Sequence, residues 1–425
     1  MTRLIAVVVP IGMFVKFVGG GEVHTKEVVN RLSKTTDVMI LPYIEDVINF
    51  NDKEICEIYE KLPYYFPKLL KRLCSGEKIK FEDVIKELSD EAKESNLIYE
   101  PNLHIRINVL HRNDKIKLLL KSFKSSIYCS EKLSFDAYCI AKKSNKKLVS
   151  VIHPDVRSYI DGLKIAYNGL KYHYDFPLSM LKITLTYRNL IKINKLVKDH
   201  TFKYLLSVSK AIEHLDIRNE KVKVLKIGNA FNPEIMKYRS KNKEDYIVFW
   251  ARLYSLKGIL EIPYIVREII KKYDIKLKIF GRFISESEKY KFFDSVRKLN
   301  IEKNIEYLEF LSEEKKYEIV SKARALVYPS HSDSFSLVIL ESLALGTPVV
   351  AYNLLGPRSI YDGLPAIKFV KEFDIKGMAQ QVLKLINMKD EDYYNLIYED
   401  NLNKLLETHN SWDKVFEEIF WYLFE

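Results

Sequence analysis

The sequence predicts an α/β chain built from two Rossmann-like domains, and three observations carry that prediction. Short apolar, β-branched runs alternate with amphipathic segments, which is the pattern of βα units and of parallel sheets covered by helices. Near the middle the alternation is interrupted by the turn-rich stretch Gly228-Asn229-Ala230-Phe231-Asn232-Pro233 and then by a charged run from Arg239 to Asp245. The 425 residues, 47% of them hydrophobic and without a low-complexity tract, suffice for two or three buried cores.

In the first half the predicted strands are Leu4–Val9, Val38–Leu41, Ser126–Cys129, Leu148–Ile152 and Leu205–Val208. In the second they are Tyr246–Trp250, Lys276–Phe280, Ile305–Phe310, Ala325–Tyr328 and Pro348–Ala351. A first domain over 1–230, a second over 231–410 and a last helix over 411–425 follow. Residues 52–95 read as a helical insertion, with Phe81, Val84, Ile85 and Leu88 at helical spacing after a stop at Ser75-Gly76. Its Tyr59, Tyr64, Tyr65 and Phe66 suit core packing, the ordinary use of such clusters, or the lining of an acceptor site.

The formal net charge of +11 favours anionic partners in general, although runs such as Lys93-Glu94 and Glu313-Glu314-Lys315-Lys316 mix the signs as an ordinary solvated surface does. No nucleic-acid partner is expected. Cys56, Cys74, Cys129 and Cys139 lack the close pairs of a zinc site and are too sparse for a disulfide framework, which fits a reducing cytosol. The apolar run Leu4–Val9 superficially resembles a secretory signal, but Pro10 breaks it and three glycines lead into a helical pattern, which suits a first core strand. No stretch approaches the ~20 apolar residues of a spanning helix, so a cytoplasmic chain with at most peripheral membrane contact is expected.

The candidate chemistry lies mostly in the second half. Trp250-Ala251-Arg252-Leu253-Tyr254-Ser255-Leu256-Lys257-Gly258 sets two cations in the loop after a strand, where open α/β sheets bind ligands. From Tyr328 runs Tyr-Pro-Ser-His-Ser-Asp-Ser-Phe-Ser-Leu-Val-Ile-Leu-Glu-Ser-Leu-Ala-Leu-Gly-Thr-Pro-Val-Val-Ala. A small-residue loop here leads into a helix predicted over Ser336–Leu345, whose free N-terminal amides and dipole suit a phosphate. Asp333 in the loop and Glu341 on the helix set one carboxylate for a sugar and one for a ribose. Gly19-Gly20-Gly21 reads equally as a tight turn or a phosphate loop, but it lacks the Gly-x-Gly-x-x-Gly spacing of nicotinamide sites. Asp390-Glu391-Asp392 mimics a metal-binding Asp-x-Asp, but it follows no strand and precedes a helical pattern, as acids at a helix N-terminus do.

These motifs resemble the GT-B retaining glycosyltransferases of group 1, or family 4. Asp333–Val349 matches the family's acidic residue, seven residues and Glu, with Ala-x-Gly-x-Pro-Val following. Arg252 and Lys257 match its Gly-Arg-Leu-x-x-x-Lys-Gly, with Ala251 for the Gly. Val18–His24 resembles its Gly-rich loop, His153 the His at a strand end, and Asn410–Val415 the start of the C-terminal helix that crosses back to the first domain. The resemblance implies two domains facing across a cleft. It further implies that Arg252 and Lys257, with Gly20 and Gly21 opposite, neutralise the diphosphate, and that Glu341 holds the ribose. Asp333 with the amides of Phe335, Ser336 and Leu337 would grip the transferred sugar, and His153 would contribute from the opposing domain. No divalent metal and no cofactor beyond the nucleotide-diphosphate sugar are implied, and retention follows from same-face attack with the leaving phosphate as base.

Two positions depart from the family pattern. Asp333 is one methylene shorter than the commoner Glu, and Gly356-Pro357-Arg358-Ser359 stands where Gly-Gly-x-x-Glu is frequent, so the donor sugar is not readable. An epimerase of the same architecture would need acid–base carboxylates that the sequence does not reveal, and a non-catalytic sugar-nucleotide-binding scaffold is the third reading. The expected acceptor is a glycan or a lipid-linked glycan. In residues 178–200, Arg188, Lys192 and Lys195 share one helical face and Leu190, Ile193 and Val197 another, which fits equally a helix at an anionic membrane surface and an ordinary domain helix.

Overall fold

Parallel pairing dominates the architecture. The computed structural model describes residues 4–9, 19–42, 106–107, 126–129, 137–138, 141–142, 145–153, 159–175, 180, 184, 196–215, 217 and 219–424. The insertion predicted at 52–95 lies outside these residues, as does most of 178–200.

The first sheet is formed by β1 (Leu4–Val9), β2 (Asp37–Pro42), β3 (Arg106–Ile107), β4 (Ile127–Cys129), β5 (Leu148–Ile152), β6 (Phe202–Ser207) and β7 (Val222–Val224). Among the described residues its order is β3-β2-β1-β4-β5-β6-β7. Every pairing is parallel, with Leu4 opposite Asp37 and Val7 opposite Tyr128. All of β5 is buried, as a central strand covered on both faces requires. Helix α1 (Gly20–Thr35) follows β1, and α2 (Tyr159–Gly169) follows β5.

The second sheet contains β8 (Tyr246–Trp250), β9 (Lys276–Phe280), β10 (Ile305–Tyr307), β11 (Leu326–Tyr328), β12 (Val349–Tyr352) and β13 (Ile367–Val370), in the order β10-β9-β8-β11-β12-β13. Between the strands run α3 (Ile262–Ile270), α4 (Glu286–Lys298), α5 (Glu313–Lys322), α6 (Leu337–Ala344) and α7 (Leu355–Tyr361). Capping matches the sequence: Ser285 accepts a bond from the Glu288 amide at 3.2 Å, acids fill the first turn of α4, and Arg297 and Lys298 fill its last. The sheet is followed by α8 (Ile375–Ile386), α9 (Asp390–Ile397), α10 (Asp400–Thr408) and α11 (Trp412–Phe424).

Helix α11 returns to the first sheet's layer. Its Asp413 pairs with Arg31 of α1 at 2.6 Å, its Tyr422 ring meets Tyr204 at 4.9 Å, and its Glu418 accepts from the Lys226 amide at 2.9 Å. The chain is thus α/β with two parallel sheets and a last helix crossing back to the first.

The strand predicted over Ile305–Phe310 ends at Tyr307, because Glu309 takes a left-handed φ of 56° and turns the chain, leaving Phe310 44% exposed. The edge strands β3, β7 and β13 are not among the runs predicted from sequence. Asp390, Glu391 and Asp392 occupy the first turn of α9. Among the described residues no helix is long and apolar enough to cross a membrane.

Candidate functional site

Strand order fixes where ligands can enter. In the second sheet the connections run outward on both sides of the β8/β11 pair, so the loops after these two strands open into one crevice. The loop after β8 carries Arg252 and Lys257, and the loop after β11 carries Asp333. The two are laced together: the His331 amide donates to the Leu256 carbonyl at 2.8 Å. Gly258, at φ 78°, backs onto Pro329 so closely that a Cβ there would lie 2.1 Å from the Pro329 carbonyl oxygen.

Lys257 and Asp333 form one unit. The ammonium is 3.0 Å from Asp333 Oδ2 and also donates to the Ser332 carbonyl, while the Tyr328 hydroxyl donates to Asp333 Oδ2 at 2.9 Å. Both charged side chains are mostly buried. Burial, with the Asp333 charge adding to it, pushes the Tyr328 hydroxyl above the usual phenol range, so it remains a donor. Behind Asp333 the chain passes through Ser336, whose φ of 67° is unusual for a residue with a Cβ. Ser336 nevertheless caps α6, its Oγ accepting from the Ile339 amide at 3.4 Å, and its carbonyl accepts from Tyr361 at 3.1 Å. Phe335 is buried against Tyr361 and His409. Its side chain is core, so only its backbone can serve a ligand, as can that of Ser336.

Glu341 sits on α6 and pairs with Lys316 at 3.1 Å. The Lys316 ammonium lies 4.8 Å above the Trp250 ring, at the end of β8, and Trp250 donates to Ser342 at 3.2 Å. Glu341 is thereby held beside the end of β8.

The first sheet contributes the opposite wall. Gly20 and Gly21 form the first turn of α1 rather than an open loop, with Gly19 as an extended N-cap. Arg252 reaches across to this turn: a Cβ on Gly19 would lie 2.6 Å from Arg252 Nη2, and one on Gly20 would lie 3.5 Å from Leu337 Cδ1. The N-termini of α1 and α6 therefore face one another with an exposed guanidinium between the two layers.

His153, just past β5, meets His24 of α1 edge to face at 4.9 Å. Burial holds His24 down to about 4 and His153 well below the usual imidazole range, so both rings are neutral at pH 7. His24 Nδ1 bonds Asn229 Oδ1 at 3.0 Å, whereas Nε2 of each ring is buried without a protein partner. Asn229 also accepts from His409 Nδ1 through its carbonyl at 2.7 Å, tying the link between the sheets to the chain that enters α11.

A cavity of about 570 Å³ opens beside Asp333, between α2 with the turn Lys210–Leu215 and the ends of β12 and β13. Of the predicted site residues only Asp333 lines it, together with Gly356 and Arg358 of the segment that departs from the family pattern. The structure also reveals a buried cluster that sequence reasoning missed. His331 is fully buried, with Nε2 2.7 Å from Glu261 and Nδ1 2.6 Å from Glu372. Glu261 is fully buried as well and accepts from Tyr174 at 2.8 Å and from Tyr352. The one sequence signal was Glu261 itself, a lone acid inside the apolar run Ile259-Leu260-Glu261-Ile262. Among the described residues no group of three or more His, Cys, Asp or Glu could hold a metal ion.

Residues 231–401 match the family of glycosyl transferases group 1. An uncharacterized glycosyltransferase of Methanocaldococcus jannaschii is 26% identical over 247 residues, 51% of this chain and 65% of that relative. The capsular polysaccharide biosynthesis glycosyltransferase CapM of Staphylococcus aureus is 24% identical over 202 residues, 43% of this chain and 52% of CapM. The chain spans less than two thirds of either relative. The crystal structure of Anabaena HepE in complex with UDP-glucose superposes with a TM-score of 0.62 at 13% identity, covering 98% of each chain.

Proposed function

Residues 231–401 are a glycosyl transferase group 1 domain in a chain of GT-B fold, and from that premise we propose a retaining, metal-independent hexosyltransferase that uses a nucleotide-diphosphate sugar. One observation carries the reading: two cations, the Asp333 carboxylate and two opposed helix N-termini converge where the loops after β8 and β11 meet the first turn of α1. Arg252, Lys257 and the amides of α1 and α6 meet the diphosphate, Glu341 the ribose hydroxyls, and Asp333 with the amides after it the sugar. The bond from the anomeric carbon to the diphosphate breaks while the acceptor oxygen bonds on the same face, and the departing phosphate oxygen takes the acceptor proton. Negative charge grows on the diphosphate during this step, and fixed cations and amides stabilise it there without reorganising. His153, neutral, offers a hydrogen bond to the sugar rather than a charge.

A UDP-sugar donor is favoured by the ligand in the HepE structure, and a glycan or lipid-linked acceptor by CapM's part in capsular polysaccharide biosynthesis. Peripheral docking on an anionic membrane through 178–200 belongs to the same reading, and salt-sensitive sedimentation with anionic but not neutral vesicles is its check. The main test incubates the purified protein with a panel of UDP-sugars and glycan acceptors in EDTA and reads product anomeric configuration by NMR. Inverted product, or activity that needs added Mn²⁺, would overturn the mechanism, and no product with any pair the activity.

A further inference from the structure

The cavity beside Asp333 has walls suited to a polyhydroxylated ligand. Carboxylates (Asp333, Glu372), an amide (Asn168), cations (Arg358, Lys371) and an aromatic ring (Phe373) all line it. Carboxylates and amides bind vicinal hydroxyls well because each accepts more than one hydrogen bond, provided that they are held still.

Glu372 is held still by an unusual device. His331 grips it at 2.6 Å through Nδ1 and is itself gripped at 2.7 Å through Nε2 by Glu261. Glu261 in turn is fixed by Tyr352 of β12 and by Tyr174, which reaches over from the first sheet's layer. The neighbouring Phe373 adopts a left-handed φ of 61° and stacks on His331 at 4.3 Å. A buried ion triad is often no more stabilising than an apolar core of the same volume, so stability is a weak reason for the arrangement. The chain of contacts ends at the cavity wall, where the Glu372 side chain is 23% exposed.

We propose that Glu372 is a specificity-determining residue that accepts hydrogen bonds from hydroxyls of the acceptor glycan in this cavity, and that His331 and Glu261 are positioning residues that hold it there. The inference rests on the transferase reading, because Asp333 would bring the transferred sugar to the cavity's edge.

Labelled protein, saturated with UDP, is applied to an array of immobilised glycans, and the thermal shift given by UDP is measured separately. The wild type retains a defined set of glycans. Glu372→Gln, which keeps the shape of the side chain, weakens that retention about tenfold or changes the set, with the UDP shift intact. His331→Gln does the same, and the double variant loses no more than Glu372→Gln alone. An unchanged glycan profile for Glu372→Gln overturns the proposal, as does a wild type that binds UDP and retains no glycan. Additive losses in the double variant overturn the positioning role. A wild type without a UDP shift removes the transferase reading itself, and this inference with it.

Discussion

The Lys257 ammonium stands 3.0 Å from the Asp333 carboxylate, so the cation predicted for the diphosphate and the acid predicted for the sugar hold one another. Lys257→Ala should therefore have two separable effects. Losing a charge-assisted bond to phosphate lowers UDP affinity by about one to two orders of magnitude, and leaving the mostly buried Asp333 without its cation, with only the Tyr328 hydroxyl still donating to it, destabilises the fold by about 1.5–3 kcal/mol. Asp333→Asn, by contrast, should leave UDP affinity within a few-fold and cut turnover. Calorimetry with UDP and urea unfolding of both variants and their double mutant check this, since paired side chains give a double-mutant cost below the sum of the singles. Additive costs would show that the pair contributes nothing.

A second prediction concerns backbone strain. Ser336 caps α6 from a left-handed conformation, at φ 67°, where an L side chain costs about 1–2 kcal/mol. Ser336→Gly removes that cost, and glycine at an N-cap loses only a few tenths of a kcal/mol. The variant should be more stable by about 1 kcal/mol, read as a rise in urea midpoint at constant slope. A lower midpoint would mean that the Ser336 hydroxyl contributes more than its 3.4 Å bond suggests.

The third concerns the segment that departs from the family pattern. A Cβ on Gly356 would lie 2.2 Å from the Ser334 carbonyl oxygen and 2.8 Å from that of Asp333. Gly356→Ala must push the Asp333 loop away, and the same loop is held by the Ser209 hydroxyl, which donates to the Ser334 carbonyl. A loss of several-fold in turnover with UDP affinity nearly unchanged is expected. Turnover equal to wild type would show that the loop has slack.

The central strands were legible because parallel strands buried on both faces read as apolar runs, as in Leu148–Ile152 and Tyr246–Trp250. The edge strands were not, since Val222–Val224 is only three residues long with a lysine at its centre and leaves Val224 40% exposed. Arg252, Lys257, Asp333 and Glu341 could be named because two continuous loops and one helix carry them. The cluster of Glu261, His331 and Glu372 could not: its members lie 70 and 41 positions apart and meet only through the packing of three separate loops. The contact of Arg252 with Gly19 was beyond reach for the same reason, as it depends on how two sheets face each other.

The last prediction is a stability optimum near neutral pH with two identifiable limbs. Burial alone would lower the pKa of His331, but the Glu261 and Glu372 carboxylates outweigh it and raise the ring from 6.5 to about 9. Folding thus favours the protonated ring, so this stabilisation is complete below about pH 6.5 and is lost as pH climbs through about 9. The other titratable groups facing His331 are the Tyr174 and Tyr352 hydroxyls, both pushed well above the phenol range by burial, so they stay protonated across that window. His24 acts in the opposite sense. Burial lowers it from 6.5 to about 4 despite its bond to Asn229, so its contribution is complete above about 6.5 and is lost as pH falls through about 4. His153, beside it and also depressed by burial, adds to the same acid limb. Urea unfolding at about pH 5, 7 and 9.5 should show the wild type most stable at the middle value, with an alkaline loss on the order of 3 kcal/mol at most. His331→Gln should lower stability at neutral pH and flatten the alkaline limb while keeping the acid one, and His24→Gln should do the reverse. If His331→Gln retains the full alkaline loss, the ring is not the charged centre of the cluster, and some other group titrates there.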